Sequence, residues 1–101
     1  GQHRLAKNEY ELVVDSGKGI KRYFIDRTFV DEHDQRWIID YKSSEPMNSE
    51  DLNAFFSRME QRYKAQLSVY MKLFNLSEPG RRHRCGLFFP MLGHFHEIIM
   101  Q

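Results

Sequence analysis

One cysteine, Cys85, is too few for an internal disulfide or for a zinc site built on thiolates. No apolar run approaches the roughly 20 residues that a membrane helix needs, and the first residues hold no apolar core of a secretion signal. The expected location is therefore the cytoplasm. Charge of either sign is also scarce in excess: the formal net charge is +1, and the pI near 8.1 falls below the roughly 9 expected of a domain that binds nucleic acid through a broad basic surface. Internal repeats and low-complexity tracts are absent. Gly17-Lys18-Gly19 lacks the spacing of a phosphate-binding P-loop and joins two strands, so no ATP-driven motor is encoded within these residues.

What is present suits a small folded domain. At 101 residues, with 41% hydrophobic and 14% aromatic residues, the chain is long enough for one core and one domain over residues 1–101. Strands are expected over residues 9–14, 22–30 and 36–42, with a glycine-containing turn at 15–19 and a polar turn at 31–35. A loop with Pro46 follows. Apolar residues then recur at three- and four-residue steps: Leu52, Phe55, Phe56, Met59, Tyr63, Leu67, Tyr70, Leu73 and Phe74. These predict one long helix with Asn48 as N-cap, Glu50 and Asp51 in its first turn, and a stop at Ser77-Glu78-Pro79-Gly80. Two further strands, over 83–89 and 95–100, surround a turn at 90–93. The fold class implied is α+β or mixed α/β, with about five strands in a mostly antiparallel or mixed sheet and the helix on one face. Cys85 reads as a small buried hydrophobe in the fourth strand.

Asp26 and the triplet Asp40-Tyr41-Lys42 carry the chemistry. If the second and third strands form a hairpin symmetric about His33, paired residue numbers sum to 66. Val30 then faces Arg36, Thr28 faces Ile38, Asp26 faces Asp40 and Phe24 faces Lys42. Side chains alternate across a strand, so Asp40 and Lys42 share a face, and Asp26 joins them. Two carboxylates placed directly opposite each other repel. A hard divalent cation offsets that repulsion by taking oxygen from both, and Mg²⁺ commonly uses only one or two protein carboxylates. Lys42 can then hold a phosphate oxygen or an attacking water. The bland alternative is a pair of solvated strand-end acids, but both follow hydrophobic strand residues, where a solvated acid is less expected.

Ile25-Asp26-Arg27-Thr28-Phe29-Val30, Trp37-Ile38-Ile39-Asp40-Tyr41-Lys42-Ser43 and Tyr63-Lys64-Ala65-Gln66-Leu67-Ser68-Val69-Tyr70 together resemble the RecB-like branch of the PD-(D/E)XK nuclease superfamily. The nearest likeness is to the C-terminal nuclease domain of bacterial UvrD/Rep-type helicase–nucleases of the RecB and AddA kind. It runs from about Glu9 to about Leu92, with three motifs in the family's order. The resemblance implies a restriction-endonuclease-like core. It would make Asp26, Asp40 and the backbone carbonyl of Tyr41 ligands of Mg²⁺ or Mn²⁺, and Lys42 the catalytic lysine. Gln66 and Tyr70 match the third motif, with Tyr63 before them, and Glu9 matches an acidic position at the start of the first strand. Relatives usually add a histidine or glutamate ligand from a helix preceding the first strand. Only residues 1–8 precede it here and His3 does not replace that ligand, so the chain reads as a fragment lacking the N-terminal helix.

The function implied is Mg²⁺-dependent DNA exonuclease activity within an ATP-dependent helicase–nuclease acting in DNA end processing and recombinational repair. ATP would be used only by helicase domains of the same parent chain, which, with DNA and a second helicase–nuclease subunit, would be its partners. The alternative is a catalytically inactive nuclease-like fold serving as a DNA-binding or interdomain scaffold. Basic groups at Lys18, Lys21 and Arg22 and at Arg81, Arg82 and Arg84 are candidates for phosphate contact, although such runs are more often solvated strand ends. Lys21, Arg22, Arg82 and Tyr70 are the DNA-contact candidates taken forward. His94 and His96 share a strand face without a third ligand nearby in sequence, and read as surface histidines.

Overall fold

Alternating inward and outward residues and one helical stripe assemble into a five-stranded sheet with a long helix across one face. The computed structural model describes residues 4–100, with side chains from residue 8 onward. Strands β1 (Arg4–Asp15), β2 (Ile20–Val30) and β3 (Gln35–Tyr41) run antiparallel in sequence, helix α1 (Leu52–Ser77) crosses over, and β4 (Arg82–Phe89) and β5 (His94–Ile98) complete the sheet in the order β1-β2-β3-β4-β5. Only the β3–β4 pair is parallel. A parallel neighbour requires a crossover connection, and α1 is that connection. The α+β reading and the mixed sheet therefore hold. β1 begins at Arg4 rather than at residue 9. His3 lies outside the described residues.

The period of 2 in the strands sets which residues the helix covers. In β3, Arg36, Ile38 and Asp40 are buried, whereas Trp37 and Ile39 lie half-buried on the other face. Ile25, Ile38, Cys85, Leu87, Phe89 and Ile98 from the sheet meet Phe55, Phe56, Met59, Leu67, Tyr70 and Phe74 from α1. Fully burying one such side chain is worth about 1.5–3 kcal/mol, so this layer is the main source of stability. Gly86 lies where β4 and β5 approach most closely: a Cβ there would come within 2.6 Å of the His96 carbonyl oxygen. Cys85 is buried as expected, and burial pushes its thiol up to about 12.

The helix starts later than the acidic run at its head suggests. Asp51, not Asn48, is the N-cap, with its Oδ1 accepting from the Ala54 N–H at 2.8 Å. Ser49 has φ of 68°, which a helix cannot accommodate, so the chain turns at residues 48–49 before the helix begins. Glu50 is then free to accept from the Met47 N–H and to clamp Arg58 bidentately at 2.8 and 2.9 Å. Leu52 is consequently exposed rather than part of the core. At the other end the helix stops as expected, where the Glu78 N–H bonds the Phe74 carbonyl. Glu78 then gathers Arg36, Arg81 and His83 around its carboxylate at 2.8, 2.6 and 3.1 Å, tying the helix terminus to β3 and β4. Among the described residues no helix is long and apolar enough to cross a membrane.

Candidate active site

The site begins with a turn. Asp31 Oδ1 accepts from the backbone N–H groups of His33 and Gln35, each at 2.9 Å, while Oδ2 takes the Trp37 indole N–H at 2.9 Å. Burial works upward on this carboxyl, but the bonds from Gln35, Trp37 and His33 together hold it below the usual aspartate range. A turn fixed by its own side chain also fixes the register beyond it. The pairs Val30–Arg36, Phe29–Trp37, Thr28–Ile38 and Arg27–Ile39 follow, all with numbers summing to 66. One step further, Asp26 and Asp40 lie beyond the last ladder pair, with their carboxyls in hydrogen-bond contact. The Phe24–Lys42 pairing is not part of the ladder, because regular β2–β3 pairing stops at Arg27.

That stop has a structural cause. Going along β2, the residues buried beneath the helix are Ile25 and then Thr28, so the inward phase shifts across Asp26 and Arg27. On the neighbouring strand, the register that pairs Asn8 with Arg27 and Tyr10 with Ile25 puts Glu9 opposite Asp26, and Glu9 has φ of 56°. The register is the same on both sides of Glu9, so the left-handed residue is a local twist within a pairing of constant register, and it lies opposite the change of phase in β2. Asp26 is the side chain at that change. Its Oδ2 accepts the Tyr41 backbone N–H at 2.8 Å, a donor that an unbroken ladder would have delivered to Ile25. Asp26 thus caps the end of β3 and is held beside Asp40.

Asp40 lies on the helix side of the sheet, with its side chain only 10% exposed. Burial, followed by a hydrogen bond that only its protonated form can give to Asp26, pushes its carboxyl up to about 6, against the lowering influence of Lys42. The Lys42 Nζ is 2.7 Å from Asp40 Oδ2. That oxygen is buried and meets no donor at hydrogen-bond angles, so the contact with lysine is one of charge. The ammonium also sits 3.8 Å from the centre of the Tyr63 ring. A cation over an aromatic face gains about 0.5–2 kcal/mol depending on desolvation, which orients Lys42 while leaving its N–H donors available. Tyr63, expected to be core packing, is half-buried and forms the floor beneath the lysine.

The remaining candidates are more dispersed. Gln66, the third-motif residue implied by the resemblance, is exposed, and its side-chain N–H donates to the Tyr70 hydroxyl at 2.8 Å. Tyr70 is 4% exposed, and its hydroxyl donates to the Phe24 carbonyl at 3.4 Å. A buried ring cannot lie against DNA, so Tyr70 braces β2 two residues before Asp26 instead. Lys21 and Arg22 are exposed near the far end of the β1–β2 hairpin, and Arg22 is paired with Glu11 at 3.0 Å. Arg82 pairs in register with Gln35, five residues along β3 from Asp40, or about 16 Å at strand rise. Hence these three basic residues do not join the carboxylates. His96 is bonded through Nε2 to Glu60 at 2.9 Å, and both His94 and His96 stack on Phe56, so they dock β5 on the helix.

The donor set fits a hard divalent cation with few protein ligands. Two adjacent carboxylates, one carrying a buried oxygen without an aligned donor and resisting ionisation because of its burial and then of the other acid, gain from a shared positive charge. Strand geometry sends the Tyr41 carbonyl toward the same edge as its N–H, where Asp26 lies. Among the described residues no third acid, histidine or cysteine gathers there to make a fuller cluster. A scan against known protein families finds no match to this chain, and a comparison with curated proteins likewise finds none.

Proposed function

We propose that this chain is a divalent-metal-dependent DNA nuclease domain of the RecB-like PD-(D/E)XK kind, the exonuclease module of an ATP-dependent helicase–nuclease that processes DNA ends. The observation that carries this reading is the convergence of Asp40 and Lys42, at the end of β3, with Asp26 inside the adjacent β2, where the Asp40 carboxyl is pushed up to about 6 beside a second acid. The motif resemblance supplies the substrate class.

Asp26 and Asp40 would hold Mg²⁺ or Mn²⁺ together with the Tyr41 carbonyl. When bound, such a cation neutralises phosphoryl charge and acidifies water. Each residue of the chain has a task that its surroundings support. Asp40 would have to give up its proton to hold a cation, and its buried position keeps water from competing for the carboxylate. Asp26, fixed by the Tyr41 N–H, keeps the two carboxylates together. Lys42, seated over Tyr63, directs N–H donors at a non-bridging phosphoryl oxygen, where negative charge grows as water attacks phosphorus in line with the leaving 3′-oxygen. The attacking water gives up its proton to solvent, and solvent protonates the leaving 3′-oxygen. Tyr70 holds the β2 segment leading to Asp26, and Gln66 restrains the Tyr70 hydroxyl.

The second reading, a nuclease-like fold that binds DNA without cutting it, draws support from the sparse ligand set. Metal-dependent cleavage of linear DNA separates the two. Asp26→Ala, Asp40→Ala and Lys42→Ala should each reduce cleavage by on the order of 100-fold or more with the fold retained, and Gln66→Ala by less. Full activity in Lys42→Ala would remove the mechanism. No cleavage, with DNA still bound, would favour the scaffold reading whether or not Mg²⁺ shifts the Asp26, Asp40 and Tyr41 amide resonances, whereas unmoved resonances with neither cleavage nor DNA binding would refute both.

A further inference from the structure

A cleft of about 380 Å³ opens beside the C-terminal half of α1, lined by Ser68, Met71, Lys72, Asn75, Arg81, His83 and Met100. Its size falls within the range of small-ligand sites. Asp26, Asp40 and Lys42 are not among its walls, and Lys72 stands nine residues beyond Tyr63, about 14 Å along the helix. Ser68, Met71, Lys72 and Asn75 fall at steps of three, four and seven, so one helix face presents a hydroxyl, an ammonium and an amide side by side. None of the lining residues is acidic.

Two donors in this cleft have no internal use. Lys72 is exposed and pairs with no acid among the described residues. Arg81 spends its terminal nitrogens on Glu78 at 2.6 Å and Asp34 at 3.2 Å, but its Nε is buried without an acceptor. An unmet buried N–H costs about 1–3 kcal/mol, a cost that an acceptor entering the cleft would remove. Ammonium, guanidinium, hydroxyl and amide donors around one space exceed what a carboxylate can accept and suit the several oxygens of a phosphate. Met71 and Met100 supply a soft apolar wall, which packs readily against an aromatic ring.

We propose that this cleft binds a phosphate group carried on an aromatic body, the chemistry of a nucleoside monophosphate, whether free or at the end of a strand. The phosphate lies between Lys72, Ser68 and the Arg81 Nε–H, and the ring lies against Met71 and Met100. The site is independent of the carboxylate pair and does not require the nuclease reading.

Thymidine monophosphate, thymidine and inorganic phosphate, each titrated into isotope-labelled protein, provide the test. The monophosphate should move the Lys72 amide, the Asn75 side-chain amide, the Arg81 Nε–H and the methyls of Met71 and Met100, and should bind several-fold tighter than phosphate alone. Lys72→Met should weaken it at least ten-fold while leaving resonances outside the cleft in place. Arg81→Lys should weaken it too; because Arg81 belongs to the Glu78 cluster, Lys72→Met and Ser68→Ala carry the test if that variant does not fold. Thymidine binding as tightly as its phosphate would overturn the proposal, as would the absence of shifts at tens of millimolar ligand or binding undiminished in Lys72→Met. Phosphate matching the monophosphate would overturn the role of the methionine wall.

Discussion

Replacing Asp40 by asparagine should make the protein more stable at neutral pH, and by an amount that grows with pH. The Asp40 carboxyl titrates near about 6 in the fold against 3.8 when unperturbed. A shift of about two units corresponds to about 3 kcal/mol. The sign follows from linkage. Because the folded state holds the proton more tightly, the stability that Asp40 contributes is fully present below its unfolded value and is lost as pH rises through about 6. Between pH 4.5 and 8 the loss amounts to about 2 kcal/mol, and asparagine, which does not titrate, avoids it. The charge contact with Lys42 is already included, since it acts to lower the same carboxyl. Other perturbed acids, such as Glu78, slope equally in both proteins and cancel in the difference. Urea unfolding without divalent cations measures the effect: at a slope of about 2 kcal/mol per molar, the midpoint difference between variant and parent should widen by about 1 M from pH 4.5 to pH 8. Saturating Mg²⁺ should then stabilise the parent and not the variant. A difference that stays flat across this range would show that burial and Asp26 do not hold the proton on Asp40 as the geometry requires.

Two structural predictions follow from the same kind of reasoning. Glu78→Gln should destabilise the fold by about 3 kcal/mol in urea at neutral pH, because it leaves Arg36 poorly compensated beneath the helix terminus. Burial raises the Glu78 carboxyl while Arg36, Arg81 and His83 lower it more, so its contribution exists above the ordinary glutamate range and fades as pH falls through its depressed value; a variant deficit that does not shrink in acid would contradict this. Gly86→Ala should cost about 1–3 kcal/mol by overpacking, since the new methyl meets the His96 backbone as well as the Phe95 ring. Thermal unfolding unchanged by that substitution would mean that β5 is not held as closely as described.

The hairpin register, the helix and the proximity of Asp26 to Asp40 are legible in the sequence, because each depends on neighbours in the chain. Turn residues between two strands set a register, a period of 2 sets the faces of β3, and a period near 3.6 marks the buried stripe of α1. Capping residues are plentiful before Leu52, and only the backbone at Ser49 decides that Asp51 rather than Asn48 caps the helix. Helix spacing puts Gln66 and Tyr70 one turn apart, but it does not reveal that the Tyr70 hydroxyl reaches the Phe24 carbonyl while Gln66 stays outside.

What tertiary structure alone decided is how these elements were joined. The left-handed Glu9 opposite Asp26, the carboxylate that takes the Tyr41 N–H, the Tyr63 ring beneath Lys42 and the cleft among Lys72, Arg81 and Met100 each combine segments far apart in the chain. Local sequence fixes φ and ψ preferences and the direction in which a side chain leaves its own strand or helix. Which group it then meets, and so whether a carboxyl keeps its proton or a guanidinium lacks an acceptor, is set by burial and by partners that only packing brings within a few ångströms.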